Sequence, residues 1–318
     1  MTIQHRVIYF LCFVILLSLS VKSLVEPDVW WQLRTGEWIV EHKSVPTKDV
    51  LSYTYDGDPW VNIKWGSEVL FYFLATYSSP ELIPFFVGIL YCLLFYFLIK
   101  TLSYFGNFIF DNAFALSSIL FMICISHRIN GRPEVISYLF TTLFLWIFHK
   151  SRKQENWLFL LIPLQCLWTN MHEAFGVGVV MLFIYVIADW YDTKIINIKK
   201  ILIIVLAILA MCINPIGFKI VSYAITIFSQ LRSNTFTSEM ASFILKDYWN
   251  FFSILNFITI ILSGYQLLNW FKKARLKGML KQIPLFHLML WFAFAYLSLQ
   301  SNRNIVYFQI VSFPVFFK

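Results

Sequence analysis

The stretch Leu82-Ile-Pro-Phe-Phe-Val-Gly-Ile-Leu-Tyr-Cys-Leu-Leu-Phe-Tyr-Phe-Leu-Ile-Lys100 carries no charge before its closing lysine. As a helix it is long enough to cross the hydrocarbon of a bilayer. Runs of the same kind stand near 7–24, 111–127, 134–149, 157–171, 174–191, 200–213, 251–271, 284–301 and 305–318. With 82–100 they make about ten expected transmembrane helices. A further apolar stretch, 216–231, follows Asn214-Pro215 and reads as re-entrant or interfacial. Hydrophobic residues are 59% of the 318 and charged residues 13%, with mean hydropathy +0.69. A soluble domain carries about a quarter charged residues, so lipid is the expected solvent. The 12 Trp and 16 Tyr suit two membrane–water interfaces.

The basic residues fix an expected orientation. With the N-terminus inside, the inside segments hold Arg6, Lys100, Lys150, Arg152, Lys153, Lys194, Lys199, Lys200 and the cluster Lys272 to Lys281. Short inside loops rich in Lys and Arg follow the positive-inside rule. Only Asp111, Glu155, Asp189 and Asp192 of the 17 acids fall inside; the other thirteen fall outside. The net charge of +8 therefore marks topology, and the inside cluster attracts anionic membrane lipids. No nucleic-acid motif accompanies it. The five cysteines all lie in apolar spans, which excludes a disulfide framework and zinc spacing. The run after His5-Arg6 is long for a signal peptide and lacks a small-x-small site, so it reads as an uncleaved first span. The chain reads as a single transmembrane domain over 1–318. Its last run stops after 14 residues at Lys318, so a C-terminally longer protein is expected.

The long hydrophilic segment is the first exterior loop, about 25–81. It opens Glu26-Pro27-Asp28-Val29-Trp30-Trp31-Gln32-Leu33-Arg34-Thr35-Gly36-Glu37-Trp38. Pro27 and Asp28 make a helix start, with Asp28 as N-cap. Val29, Leu33, Gly36 and Val40 share one face, with Trp31 and Trp38 opposite, as in a helix lying in the interface. Val45 to Asp49 breaks it, and a turn follows at Asp56-Gly57-Asp58-Pro59.

An acid-x-acid pair and an interfacial helix after the first span resemble the GT-C class of membrane glycosyltransferases. The wording Glu26-Pro-Asp28-Val-Trp30-Trp31, with Arg34-Thr-Gly36-Glu37-Trp38 and Pro46, Asp49 and Ser52, is similar to a group of bacterial members of that class. The likeness spans most of the chain in topology. Its motifs lie in this loop and, more weakly, in Gly131-Arg132-Pro133-Glu134, Asn170-Met-His172 and Asn214-Pro215-Ile-Gly217. Two departures stand out: Lys64 precedes Trp65 where the group carries an acid, and Glu173 follows His172 where it carries a small residue.

The resemblance implies transfer of a sugar from a polyprenyl-phosphate donor to a lipid, glycan or protein acceptor outside the cytoplasm, with inversion. It implies a bacterial inner-membrane protein with its active face outward. It also implies that Asp28 is the catalytic base. Read from the residues alone, Asp28 is equally a helix cap. Glu26 is either a second carboxylate for a divalent cation or an interfacial acid, the latter being favoured.

The other exterior polar residues fall in three turns. His127-Arg128-Ile-Asn130-Gly131-Arg132-Pro133-Glu134 places two arginines against the orientation bias. A lipid phosphate would explain them, since guanidinium pairs bidentately with phosphate oxygens. Snorkelling to ordinary headgroups, with Pro133 and Glu134 only starting a helix, is the alternative. Asn170-Met-His172-Glu173 is a hairpin. Asn170 suits a turn, and His172 with Glu173 forms a polar pair beside an apolar span. Arg303, in Ser301-Asn302-Arg303-Asn304, is a further phosphate candidate. No ligand spacing assigns a metal. Two other functions compete: a glycan ligase or polymerase using diphosphate-linked donors, and a transporter or flippase. The first usually places its main exterior loop late in the chain. The second favours internal repeats and charges deep within spans.

Overall fold

The computed structural model describes residues 3–21, 24, 26–105, 112–233, 238–276 and 285–317. Asp111, Lys277, Lys281 and Lys318, which the orientation and span readings used, lie outside these. Among the described residues the fold is all-α, with thirteen α-helices and an isolated bridge between Lys48 and Pro59 in place of any strand. The helices are α1 Ile3–Ser20, α2 Asp28–His42, α3 Trp65–Tyr77, α4 Leu82–Leu102, α5 Asn112–Ile125, α6 Glu134–Ser151 and α7 Leu161–Met171. They continue as α8 Gly176–Thr193, α9 Ile198–Ala210, α10 Lys219–Ser233, α11 Phe251–Leu276, α12 Leu285–Gln300 and α13 Ile305–Ser312.

Three segments, Leu82–Leu102, Glu173–Thr193 and Phe251–Lys272, are long and apolar enough to cross a membrane. Several expected spans are shorter as helices. α7 has 11 residues and α9 has 13, which at 1.5 Å per residue reach about 17 and 20 Å. Segment 305–318 is not a peripheral span. All eight residues of α13 are buried. α6 is similarly enclosed, with 14 of its 18 residues buried. These two helices form the centre of the bundle, joined by aromatic packing such as Tyr138 on Tyr307. Outward faces carry apolar rows at helical spacing, including Phe85, Ile89, Leu93 and Tyr96 on α4 and Val180, Phe183 and Ile187 on α8.

The first loop is folded rather than extended. α2 starts where Pro27 and Asp28 indicated and stops at Lys43, whose backbone is left-handed at φ 52°. Its buried face is Val29, Gln32, Thr35, Gly36 and Ile39, rotated from the expected Val29, Leu33, Gly36 and Val40. The rotation arises because α2 packs on α3, a helix within the first loop. Gly36 makes that packing possible. A Cβ there would stand 2.7 Å from the Glu68 carbonyl carbon and 2.8 Å from Tyr72 Cβ. Between the helices Asp49 closes a tight loop, accepting from Leu51 N and Ser52 N at 2.9 Å each and from Ser52 Oγ at 2.7 Å. Gly57 makes the expected turn at φ 85°. The far end of this unit is clamped to the hairpin before α8. Trp65 Nε1 donates to Asn170 Oδ1 at 2.8 Å, and Gly66 lies against Asn170 and Met171.

Candidate active site

Five chain segments converge at one end of the bundle. They are the start of α2, the turn before α6, the hairpin between α7 and α8, the segment before α11 and the turn between α12 and α13. Gly131 lets the second approach the first: a Cβ there would stand 2.7 Å from Leu24 and 3.3 Å from Val29. Arg132 is thereby placed beside the first-loop acids. Its Nη2 lies 2.5 Å from Glu26 Oε1 and 3.5 Å from Asp28 Oδ2. Its Nη1 lies 3.0 Å from Glu239 Oε2 and 3.8 Å from Glu134 Oε1.

Glu134 is the hub. It occupies the first turn of α6, where the helix dipole favours an acid, and is 4% exposed. Its Oε2 accepts from Arg128 Nη2 and from Tyr138 Oη, the latter at 3.1 Å. Its Oε1 lies 3.0 Å from Arg303 Nε, close enough for an ion pair but outside hydrogen-bond geometry. Arg303 Nη2 meets Glu173 Oε1 at 2.7 Å and approaches His172 Nε2 at 3.5 Å. Burial opposes charge on Arg303, but Glu134 and Glu173 overcome it and raise its pKa. On the other side of the ring, His172 Nδ1 lies 2.8 Å from Ser137 Oγ, which in turn accepts from Trp168 Nε1 at 2.7 Å. Burial pushes the His172 imidazole down to about 4, so it is neutral at physiological pH.

The acids and bases named from sequence thus meet in one continuous cluster: Glu26, Asp28, Arg128, Arg132, Glu134, His172, Glu173 and Arg303. Glu239 joins them, with its Oε2 also 3.2 Å from Arg128 Nη1. Two named residues do not join. His127 stacks on Phe252 at 4.2 Å. Asn170 spends its side chain on Trp65 and on the carbonyls of Cys166 and Ile213, both at 2.8 Å, so it acts as a brace.

The N-cap reading of Asp28 is corrected. Pro27 holds the cap position, no side-chain cap bond forms, and Asp28 opens the first turn with its side chain 46% exposed. Glu26, read as an interfacial acid, is 12% exposed and held by Arg132. The phosphate reading of the arginines narrows. Five carboxylates face three guanidinium groups, with Lys64 acting on Glu173 from nearby, so with His172 neutral the cluster stays net negative. Arg128 is 7% exposed and fully engaged. Arg132 is 20% exposed and keeps its Nε without a partner.

The sequence did not mark Ser137, Tyr138 or Trp168, which lie inside apolar runs, nor the buried Glu68. Asn62 Nδ2 donates to Glu68 Oε2 at 2.5 Å, and Glu68 Oε1 has no partner. Burial raises the Glu68 carboxyl to about 7. Its signal was faint: an acid three residues after Trp65, within the first turn of an apolar helix. No grouping of three or more His, Cys, Asp or Glu among the described residues has metal-holding geometry. Comparison with family models, with curated proteins and with solved structures finds no match.

Proposed function

We propose that the chain is a polytopic membrane glycosyltransferase of the GT-C kind, using a polyprenyl-phosphate sugar on the non-cytoplasmic side of a bacterial inner membrane. The outward apolar rows on α4 and α8 support the membrane reading, since soluble monomers rarely expose contiguous apolar patches of that extent. The short helices α7 and α9 each extend into the adjoining turns and remain part of a bundle of about ten segments.

One observation carries the reaction. Asp28 is a half-exposed carboxylate at the lip of a buried ionic cluster, 3.5 Å from the most exposed of its three arginines. In the proposed step Asp28 takes the proton of the acceptor hydroxyl. The hydroxyl oxygen forms a bond to the anomeric carbon from the face opposite the phosphate. The carbon–oxygen bond to the phosphate breaks, and its electron pair leaves with the polyprenyl phosphate. Arg132, next to Asp28, stabilises the growing charge. Arg128 and Arg303 hold Glu134 and Glu173 and so shape the site instead of binding the donor.

A base of this kind contributes about 10²–10⁴-fold. Asp28→Asn, purified in membranes and supplied with labelled lipid-phosphate sugars, should lose transfer by that factor while keeping its thermal stability. A folded variant that transfers as fast as wild type overturns the assignment.

A further inference from the structure

The opposite end of α4 and α6 carries a second polar feature. A groove of about 350 Å³ is lined there by Tyr96, Lys100, Tyr104, Trp146 and Lys150, among others. Lys100 Nζ stands 5.3 Å from the Tyr96 ring centre. Lys150 Nζ stands 3.9 Å from Trp157 and 4.9 Å from Trp146, and Lys153 Nζ lies 5.8 Å from Tyr104. Among the described residues none of these three lysines has a carboxylate within 4.0 Å. Arg152, beside them in sequence, does pair, with Asp192 at 3.2 Å.

The groove continues into an apolar track. Phe85, Ile89, Leu93 and Tyr96 are 43, 39, 42 and 37% exposed. Their spacing of four, four and three places them on one face of α4, and Lys100 extends the same row. From Phe85 to Tyr96 the track runs about 16 Å, close to half of the ~30 Å hydrocarbon core.

We propose that this groove is a binding site for one anionic glycerophospholipid. Its phosphodiester sits between Lys100 and Lys150, and an acyl chain lies along the α4 track. The charge selects the occupant: three cations with no carboxylate partner among the described residues call for an anion, and a zwitterionic headgroup would bring a further cation to the same place. The track selects a lipid over a free phosphate, which would leave it bare. The proposal rests on the membrane reading and not on glycosyl transfer.

The test uses the full chain in neutral detergent, titrated with phosphatidylglycerol, phosphatidylcholine or glycerol 3-phosphate, with bound lipid counted by native mass spectrometry. Phosphatidylglycerol should give a saturable single adduct. Replacing both lysines (Lys100→Gln with Lys150→Gln) should weaken it about 30-fold, given about 1 kcal/mol per lysine near a lipid surface and tenfold per 1.4 kcal/mol. Should the double variant misfold, the exposed Lys100→Gln alone should weaken it about fivefold. Lys246→Gln, in the segment before α11, should change nothing. Equal binding of phosphatidylcholine, equal weakening by Lys246→Gln, or protection by glycerol 3-phosphate alone would each overturn the site. Failure of the membrane reading would show separately, as a chain that stays monodisperse without detergent.

Discussion

The three arginines at one end of α6 and the three lysines at the other are treated in opposite ways. Around Glu134 stand Arg128, Arg132 and Arg303, every one within 4.0 Å of a carboxylate. Around Lys150 stand Lys100 and Lys153, with aromatic faces as their neighbours. Burial explains the contrast. A guanidinium 7% exposed cannot keep its hydration, so it must be paired. A rim lysine keeps its ammonium wet and rests its stem on an aromatic ring. One end is therefore self-neutralised with a negative margin, and the other holds positive charge that a partner can use. Counting cations alone would miss that difference.

The sharpest way to break this contrast is to remove the hub. Glu134→Gln leaves Arg128 and Arg303 buried beside a neutral amide. Unpairing a buried ion pair in this way costs about 3–5 kcal/mol. Thermal and denaturant unfolding of the purified variant should show that loss, together with loss of any transfer activity. A variant as stable as wild type would mean that the cluster is hydrated and the arginines are free for a ligand after all.

A smaller effect is expected where the first loop is fastened. Gly36→Ala places a methyl against the Glu68 backbone, which cannot move aside as a flexible side chain would. Overpacking of this kind costs about 1–3 kcal/mol. It should show as faster proteolysis within residues 43–64 and as lost placement of Asp28, with the cluster behind it intact. Unchanged cleavage would separate the position of Asp28 from α2–α3 packing.

The apolar helices were legible because an apolar run declares itself, and α4 matches 82–100 almost to the residue. Helix α3 was not, because Trp65–Tyr77 is apolar but too short to span, and its role depends on a partner helix. Nor was the depth of α13 legible, since a central and a lipid-facing helix share the same composition. The site divides in the same way. Asp28, Arg132, His172 and Arg303 stood out as polar residues at span edges. Their meeting, such as Arg132 with Glu239 107 residues away, is a property of packing that periodicity does not encode. The pairing that neutralised the arginines was hidden for the same reason.

The smallest effect is a pH response that belongs to one end alone. Glu68 has a folded pKa near 7, above its ordinary 4.5. Its stabilising contribution is full below pH 4.5 and is lost as pH rises through 7. His172 has a folded pKa near 4, below its ordinary 6.5. Its contribution is full above pH 6.5 and is lost as pH falls through 4. Burial lowers His127 to about 4 as well, so between pH 4.5 and 6.5 two histidine slopes oppose the single Glu68 slope and wild-type stability should rise there. Glu68→Gln should leave the histidines alone, with apparent Tm rising more steeply across the window. His172→Gln should flatten the profile from pH 4.5 to 6.5, with Tm falling only between 6.5 and 7. Lys100→Gln should leave the wild-type profile unaltered, because lysine titrates far above this range. Parallel profiles in all four proteins would show that neither Glu68 nor His172 is held away from water.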